Sequence, residues 1–326
     1  MLGSRRDSLR LGTCLPAGLV LSYLCAKPLL AQTPSVRAAA MAVLYPEVTG
    51  PFAAIFATIL EGIDERLQAR THRIAVAANV DVASVITELR KRELKVVIAL
   101  GRAGMRVAGG LDLATDVVAG CIVSPGEAES RAAAVLSLAP DPLLLMQRLK
   151  ALQPASRRVV VVYSARHSGW LQNLAQNAAR HLGLELRAIE VEDLKAALRA
   201  YQDFFAQALP QDALWLPQDS LSVDESAVLP LVLQECWNRN LPLFSSNLAH
   251  VKRGALFSLY PNNLELGRSL GASALAQLQR SPAGPPGLRG VQPLRDVHAA
   301  INTRTASHLG LEASAQRGFE LSFPER

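Results

Sequence analysis

The chain has 326 residues, half of them hydrophobic, and a formal net charge of +6 at neutral pH. This length predicts about two globular domains, and the hydrophobic fraction excludes a disordered chain. Half of the net charge comes from the first 31 residues, where Arg5, Arg6, Arg10 and Lys27 stand against Asp7. The rest of the chain is therefore nearly balanced in charge and lacks the basic excess of a nucleic-acid-binding protein.

The N-terminal segment is typical of an export signal. Its basic start is followed by an apolar run from Leu11 to Leu30 and then by Ala31-Gln32. The run is short and interrupted for a membrane anchor, and an uncleaved signal anchor is the alternative. Residues 4–10 also resemble a twin-arginine signal, with Ser8 where a phenylalanine is usual. We expect residues 1–31 to be a cleaved signal peptide and the mature protein to be periplasmic.

The four cysteines do not predict a disulfide framework. Cys14 and Cys25 lie in the expected signal peptide, and Cys121 and Cys236 lie far apart in apolar segments. We expect the last two to be buried free thiols rather than a disulfide.

The first half of the mature chain alternates short apolar strands with helices. Strands are predicted at 39–45, 73–78, 95–100 and 116–124. The first predicted helix has one apolar face at helical spacing, formed by Phe52, Ile55, Phe56, Ile59, Ile63 and Leu67. Asp81 is expected to cap the second helix. Such alternation predicts a parallel sheet covered by helices on both faces.

The centre of the chain is a strand of consecutive valines, Arg157–Tyr163, which follows a helix between Asp141 and Pro154. Four β-branched residues in a row require burial on both faces, as in a central parallel strand. A second series of strands and helices follows. Its strands are predicted at 184–191, 213–216, 241–244 and 255–260, with a helix at 262–279, a surface loop at 281–287, and a strand and short helix within 299–310.

The expected fold is therefore α/β with two lobes, each a parallel sheet flanked by helices. We expect residues 38–137 to form the first lobe, completed by parts of 255–326, and residues 138–252 to form the second. Residues 253–326 are expected to return to the first lobe. The chain is expected to cross between the lobes at 137–140, 249–254 and 281–290.

None of the common catalytic or metal-binding motifs occurs at a position where its chemistry would need it. Its six histidines show no His-Glu-x-x-His spacing, and there is no Cys-x-x-Cys, Gly-x-Ser-x-Gly or Gly-x-Gly-x-x-Gly motif where chemistry would need it. We therefore predict no metal, no cofactor and no enzymatic activity. Residues 101–104 can be read as a tight turn or as a weak anion-binding loop, and His167 as a solvated loop residue or as a ligand contact.

Polar residues recur where the predicted strands end, in both halves of the chain. In open α/β sheets, ligands bind outside the carboxyl ends of the strands. Two facing lobes with such polar rims predict a cleft lined from both sides. The rim residues are Tyr45, Glu47, Gly101, Arg102, Ser124, Tyr163, Ser164, Asp219, Ser220, Ser245 and Asn247.

Residues 39–311 resemble the substrate-binding proteins of ABC transporters, in the family that includes tryptophan and tyrosine importers. The matching stretches are Val96–Gly101, Leu149–Pro154, Arg158–Tyr163, Asn240–Ser245, Arg253–Leu256, Leu266-Gly267, Ile301-Asn302, Ala306 and Leu309-Gly310. The resemblance implies a type I periplasmic binding-protein fold whose two lobes close on a small ligand. Carried over by position, it implies ligand contacts at Gly101, Arg102, Ala103, Tyr163, Ser164, Asp219, Ser220, Ser245 and Tyr260.

Two departures from the family pattern concern the ligand. Arg102 stands where the family usually has a small hydroxyl residue, and the loop after Ser124 is shorter. We expect a monomeric, exported binding protein for a small, amino-acid-like ligand, with an ABC permease in the inner membrane as partner and no nucleic acid. The alternative is a periplasmic sensor subunit that signals to a membrane receptor. A zwitterionic ligand is expected to place its carboxylate on Arg102 and its ammonium on Asp219.

Overall fold

A computed structural model describes residues 38–112, 114–280, 289–312 and 317–324. Within these residues the chain forms the predicted α/β fold, with two mostly parallel sheets flanked by helices. The expected signal peptide and the loop at 281–287 lie outside the described residues. No described helix has the length and apolar character needed to cross a membrane.

The first lobe begins with five strands and four helices in alternation. In chain order these are β1 (Met41–Pro46), α1 (Pro51–Leu67), β2 (His72–Val76), α2 (Val82–Arg90), β3 (Val96–Leu100), α3 (Gly101–Ala108), β4 (Asp116–Ile122), α4 (Glu127–Ala132) and β5 (Ala134–Pro140). The expected turn at 101–104 is the first turn of α3, which starts directly after β3.

The second lobe continues the alternation around the valine strand. Its elements in chain order are α5 (Pro142–Leu152), β6 (Arg158–Tyr163), α6 (Ala165–Ser168), α7 (Gln172–His181), β7 (Glu185–Glu190), α8 (Leu194–Ala206), β8 (Asp212–Leu216), α9 (Val228–Asn238), β9 (Leu243–Ser245), α10 (Leu248–Arg253) and β10 (Phe257–Pro261).

The remainder of the chain is divided between the two lobes. It comprises α11 (Asn263–Leu278), β11 (Gly290–Leu294), β12 (Val297–Asn302), α12 (Thr303–His308) and β13 (Leu321–Phe323). The first sheet has the strand order β11-β5-β4-β3-β1-β2, and the second has β13-β12-β10-β9-β8-β6-β7. Of the described residues after β10, only α11 and β11 therefore join the first lobe. The expectation that all of 253–326 returns there is wrong, because β10, β12 and β13 pair within the second sheet.

The valine strand β6 lies inside the second sheet, between β7 and β8. All four valines are fully buried. Val159 and Val161 pack into the core on one face of the sheet, and Val160 and Val162 into the core on the other. The prediction that both faces of this strand are covered is confirmed.

In the part of the chain that the structure describes, three adjacent connections join the lobes. The chain passes to the second lobe at Asp141, returns at Asn262, and passes again at Arg295 and Asp296. Backbone hydrogen bonds tie these connections together, with Asp141 N donating to Leu294 O and Asn262 N to Asp296 O, both at 2.9 Å. The first expected crossing, at 137–140, therefore lies directly before the observed crossing at Asp141. The second is wrong, because 249–254 lies within and just after α10 in the second lobe.

Helices α1 and α11 pack closely in the first lobe because glycines line their contact. A Cβ atom on Gly62 would lie 2.1 Å from Leu264 O, and one on Gly267 would lie 2.2 Å from Ile59 O. Only glycine permits such an approach of two helical backbones. The predicted apolar face of α1 is buried at Ile59 and Ile63, whereas Phe52 is 64% exposed.

Candidate functional site

A cavity of about 800 Å³ lies between the two lobes. The first lobe contributes α3 and the segment that follows β4, and the second contributes the segments that follow β6, β8 and β9. These are carboxyl ends of parallel strands, where α/β folds bind ligands. The lining residues are Arg102, Cys121, Ile122, Val123, Ser124, Pro125, Gly126, Glu129, Arg166, His167, Pro217, Gln218, Asp219, Ser220, Val223, Glu225, Asn247 and His250.

On the first lobe, the guanidinium of Arg102 already forms hydrogen bonds with residues of the same lobe. One guanidinium nitrogen donates to Glu129 Oε2 at 2.8 Å, and the other donates to the carbonyl oxygen of Ser124. Glu129 also accepts a bond from the backbone of Gly126 at 2.7 Å, at the start of α4. The expected pairing of Arg102 with a ligand carboxylate would therefore compete with these contacts.

On the second lobe, Asp219 is buried and its carboxylate is saturated. Oδ1 accepts from the backbone amides of Leu221 and Ser222, and Oδ2 accepts from the amide and the hydroxyl of Ser164. The side chain has no exposed surface. Its four donors are internal, so this carboxylate organises the loop after β8 and offers no free oxygen to a ligand ammonium. The expected role of Asp219 as an ammonium contact is not supported by this geometry.

The ring of His167 lies beside the Asp219 carboxylate. Its Nδ1 is 2.9 Å from Ser164 Oγ and 3.6 Å from Asp219 Oδ1. Because Ser164 Oγ donates its proton to the carboxylate, it can only accept from His167, which places a proton on Nδ1. In a neutral ring with this tautomer, Nε2 is the nitrogen that accepts a hydrogen bond.

One hydrogen bond joins the two walls of the cavity. The Ser124 hydroxyl, after β4 in the first lobe, donates to the carbonyl oxygen of His167 in α6 of the second lobe. The lobes thus contact each other across the cleft as well as through the three connections. Closure and opening of the cleft would make and break this bond.

A second histidine is buried in the wall of the second lobe. His250 Nδ1 is 2.8 Å from Ser245 Oγ, and its Nε2 is 3.8 Å from Glu225 Oε1. Burial lowers the pKa of His250, which favours the neutral ring despite the opposing effect of Glu225. Asn247 caps α10 by accepting from the amide of Ala249, which fixes this corner of the cavity.

Cys121 lies at the floor of the cavity in a bulged part of β4. Its φ is +59°, and the pairing of β4 with β5 shifts between Ala119 and Ile122. Burial raises the pKa of its thiol to about 12, so the thiol stays protonated at neutral pH. Cys121 and Cys236 are both free, as expected. Cys236 is buried, whereas Cys121 is partly exposed to the cavity.

The structure brings part of the predicted site together. Of the predicted residues, Arg102, Ser124, Asp219, Ser220 and Asn247 line the cavity. Ser164 and Ser245 lie directly behind the wall and bond to Asp219 and His250. Gly101 and Ala103 flank Arg102 in the first turn of α3 without lining the cavity themselves.

The other predicted residues lie away from the cavity. Tyr163 donates its hydroxyl to Glu190 of the neighbouring strand β7 at 3.1 Å, and the ring of Tyr260 packs against His298. Tyr45 packs against the core of the first lobe, and Glu47 is exposed. Side chains alternate along a strand, so a position at the end of a strand does not by itself decide which side chain faces the cleft.

The prediction missed Arg166, Gln218, Glu225 and His250. Gln218 stood beside a predicted residue, and Arg166 beside His167, for which a ligand contact was one of two readings. The sequence did not indicate that His250 would line the cavity, because its position depends on how α10 packs against β9. Among the described residues, no group of three or more His, Cys, Asp and Glu side chains could hold a metal ion.

Comparisons with known proteins agree with this architecture. The sequence model of a family described as ABC transporter substrate binding protein matches residues 114–316, more than half of the chain. The fold is similar to a ligand-free, open substrate-binding protein with adhesive properties from Clostridium difficile. That similarity has a TM-score of 0.61 and 14% identity, over 86% of this chain and 98% of the other.

It is also similar to a conserved domain protein from Vibrio cholerae, with a TM-score of 0.52 and 16% identity, over 87% of this chain and 99% of the other. No curated protein gave a significant match to the sequence.

Proposed function

Because this chain belongs to the ABC transporter substrate-binding protein family, we propose that it is an exported protein that binds a small, amino-acid-like solute and delivers it to an ABC permease. The observation that carries this proposal is the cavity between the two lobes, lined by the carboxyl ends of strands from both sheets. Its volume of about 800 Å³ fits a small solute, since ligand pockets are typically about 300–1,000 Å³.

Delivery to a permease requires that the solute be enclosed and then released. The three adjacent connections at Asp141, Asn262 and Arg295 support a hinge, because a few connecting residues can absorb the change in φ and ψ as two lobes close. Members of this family are typically not enzymes. The protonated thiol of Cys121 agrees with a binding role, since the thiolate is the nucleophilic form.

The proposal includes export to the periplasm as a monomer, with residues 1–31 removed. Protein recovered from the periplasm should have an intact mass that begins near Gln32. This material can then be screened by thermal shift against amino acids and small organic acids, and hits confirmed by calorimetry. Saturable binding of a small solute is the expected result. If no solute binds and the protein instead turns over a screened compound, the proposed function is wrong.

A further inference from the structure

Two arginines line the cavity, and they differ in how they are engaged. Arg102 bonds to Glu129 and to the carbonyl oxygen of Ser124. Arg166, at the start of the second lobe's helix α6, is exposed toward the cavity. Among the residues that the structure describes, none hydrogen-bonds or ion-pairs with it. The guanidinium of Arg166 is thus available for an incoming group, and that of Arg102 is already used.

None of the acidic residues that line the cavity forms an ion pair with Arg166. Asp219 has four internal donors, and Glu129 accepts from Arg102 and Gly126. Glu225 lies 3.4 Å from Arg253 and 3.8 Å from His250. Every carboxylate of the wall therefore has hydrogen-bond donors or a cation of its own, and none of the three is paired with Arg166.

Unused polar groups accompany Arg166 on the same wall. The Oε1 atom of Gln218 is buried without a hydrogen-bond partner. The hydroxyl of Ser220, two residues further along the loop after β8, has no partner among the described residues either. A buried polar atom without a partner is costly, so a ligand donor that reaches Gln218 would be favoured.

We propose that Arg166, and not Arg102, binds the carboxylate of the ligand, and that the ligand is a small carboxylic acid held on the second-lobe wall of the cavity. The planar guanidinium can donate two parallel N–H hydrogen bonds to the oxygens of a carboxylate. Gln218 and Ser220 bond to the polar groups of the same ligand. A phosphate would bring a second negative charge close to Glu129, Asp219 and Glu225, which disfavours it. This inference rests on the proposed function, because it takes the cavity to be a solute site.

The test uses pairs of probes that differ in the carboxylate alone. Suitable pairs are L-tryptophan with tryptamine, L-tyrosine with tyramine, and 3-phenylpropionate with 3-phenylpropanol, together with succinate, glucose and a phosphate monoester of similar size. Calorimetry compares the wild-type protein with Arg166→Gln, Arg102→Gln and Arg199→Gln. Arg199 is an exposed arginine on α8 that does not line the cavity, so it is the matched control.

We expect the wild-type protein to bind carboxylates and to reject their amine and alcohol partners. Arg166→Gln should weaken binding by about tenfold or more, since it removes a charge-assisted hydrogen bond. Arg102→Gln and Arg199→Gln should stay within about threefold of the wild type, because neither removes a direct contact. All three variants should unfold near the wild-type temperature, because none alters the core.

The inference is overturned if Arg166→Gln keeps the wild-type affinity. It is also overturned if Arg102→Gln weakens carboxylate binding as strongly as Arg166→Gln does. Binding of only uncharged, cationic or phosphorylated probes would also overturn it while leaving the proposed function in place. Absence of binding by every carboxylate probe would overturn the inference, whereas the proposed function is decided separately by the wider solute screen.

Discussion

At the scale of single residues, the partners of a side chain decide its role more than its place in the fold. Arg102 and Asp219 both follow strands at the cleft, as predicted, and both line the cavity. Arg102 is held by Glu129, 27 residues further along the chain, and Asp219 by Ser164, 55 residues before it. Such long-range partners cannot be read from spacing, so the sequence located these residues but could not show which internal partners they have.

Replacing Asp219 should reduce stability rather than ligand affinity alone. Asp219→Ala leaves the amides of Ser164, Leu221 and Ser222 without their acceptor. Because buried unsatisfied donors each cost about 1–3 kcal/mol and water can reach some of them, we expect a loss of about 2–4 kcal/mol in the free energy of unfolding. Urea denaturation of the ligand-free protein measures this loss.

The control for this prediction is Asp203→Ala. Asp203 is an exposed residue of α8 whose side chain makes no hydrogen bond or ion pair with any other described residue. Its replacement should change the free energy of unfolding by no more than about 0.5 kcal/mol. Equal stability of the Asp219→Ala and Asp203→Ala variants would show that the Asp219 network does not stabilise the loop.

At the scale of elements, hydrophobic periodicity predicted most strands and helices of both lobes. Among the elements that it missed are α4, β11 and β13, and each of these three has a physical reason. Helix α4 is six residues long and has no buried residue, so it has no apolar face to recognise. Strand β11 contains Pro293 and is held by pairing with β5, and β13 is three residues long at the edge of the second sheet. These elements depend on their partners in the sheet rather than on their own sequence.

The close contact of α1 with α11 is the element-scale feature that a single methyl group should disturb. Gly267→Ala would place a Cβ 2.2 Å from the backbone of Ile59, so the two helices must separate. We expect the free energy of unfolding to fall by about 1–3 kcal/mol, although alanine usually favours a helix over glycine. Thermal and urea denaturation measure the change.

Gly169→Ala is the matched comparison for this variant. A Cβ at Gly169 would lie 3.6 Å from the side chain of Ala165, which is an ordinary contact, and its φ of −58° suits any residue. This variant should be as stable as the wild type or slightly more stable. If Gly267→Ala behaved in the same way, the helices would not be as tightly packed as the distances indicate.

At the scale of the whole molecule, the sequence predicted the two lobes, but not which strands the C-terminal part of the chain supplies to each. The lobe to which β10, β11 or β12 belongs depends on the strand with which it pairs. The sequence of a short apolar strand does not indicate which strand that will be. The crossings at Asn262 and Arg295 follow from those pairings, which the sequence does not reveal. One hinge segment was therefore predicted at 249–254, which the structure shows to lie in and just after α10.

Hinge closure is the whole-molecule prediction. The hydrogen bond between Ser124 and His167 spans the cleft, so separation of the lobes would have to break it. We expect small-angle X-ray scattering to show a smaller radius of gyration after addition of a solute identified by calorimetry. The same titration with a solute that does not bind is the control. A radius of gyration that is unchanged at saturation would count against closure of the lobes.

The central claim, that the solute occupies the cavity between the lobes, is tested most directly by filling that cavity with a side chain. Ser220 is exposed on its wall, so Ser220→Trp should occupy the space without disturbing the core, and Ser84→Trp on α2 outside the cavity is the control. Calorimetry with the identified solute should show binding at least about tenfold weaker in Ser220→Trp and unchanged in Ser84→Trp. Wild-type affinity in a correctly folded Ser220→Trp variant would contradict the claim.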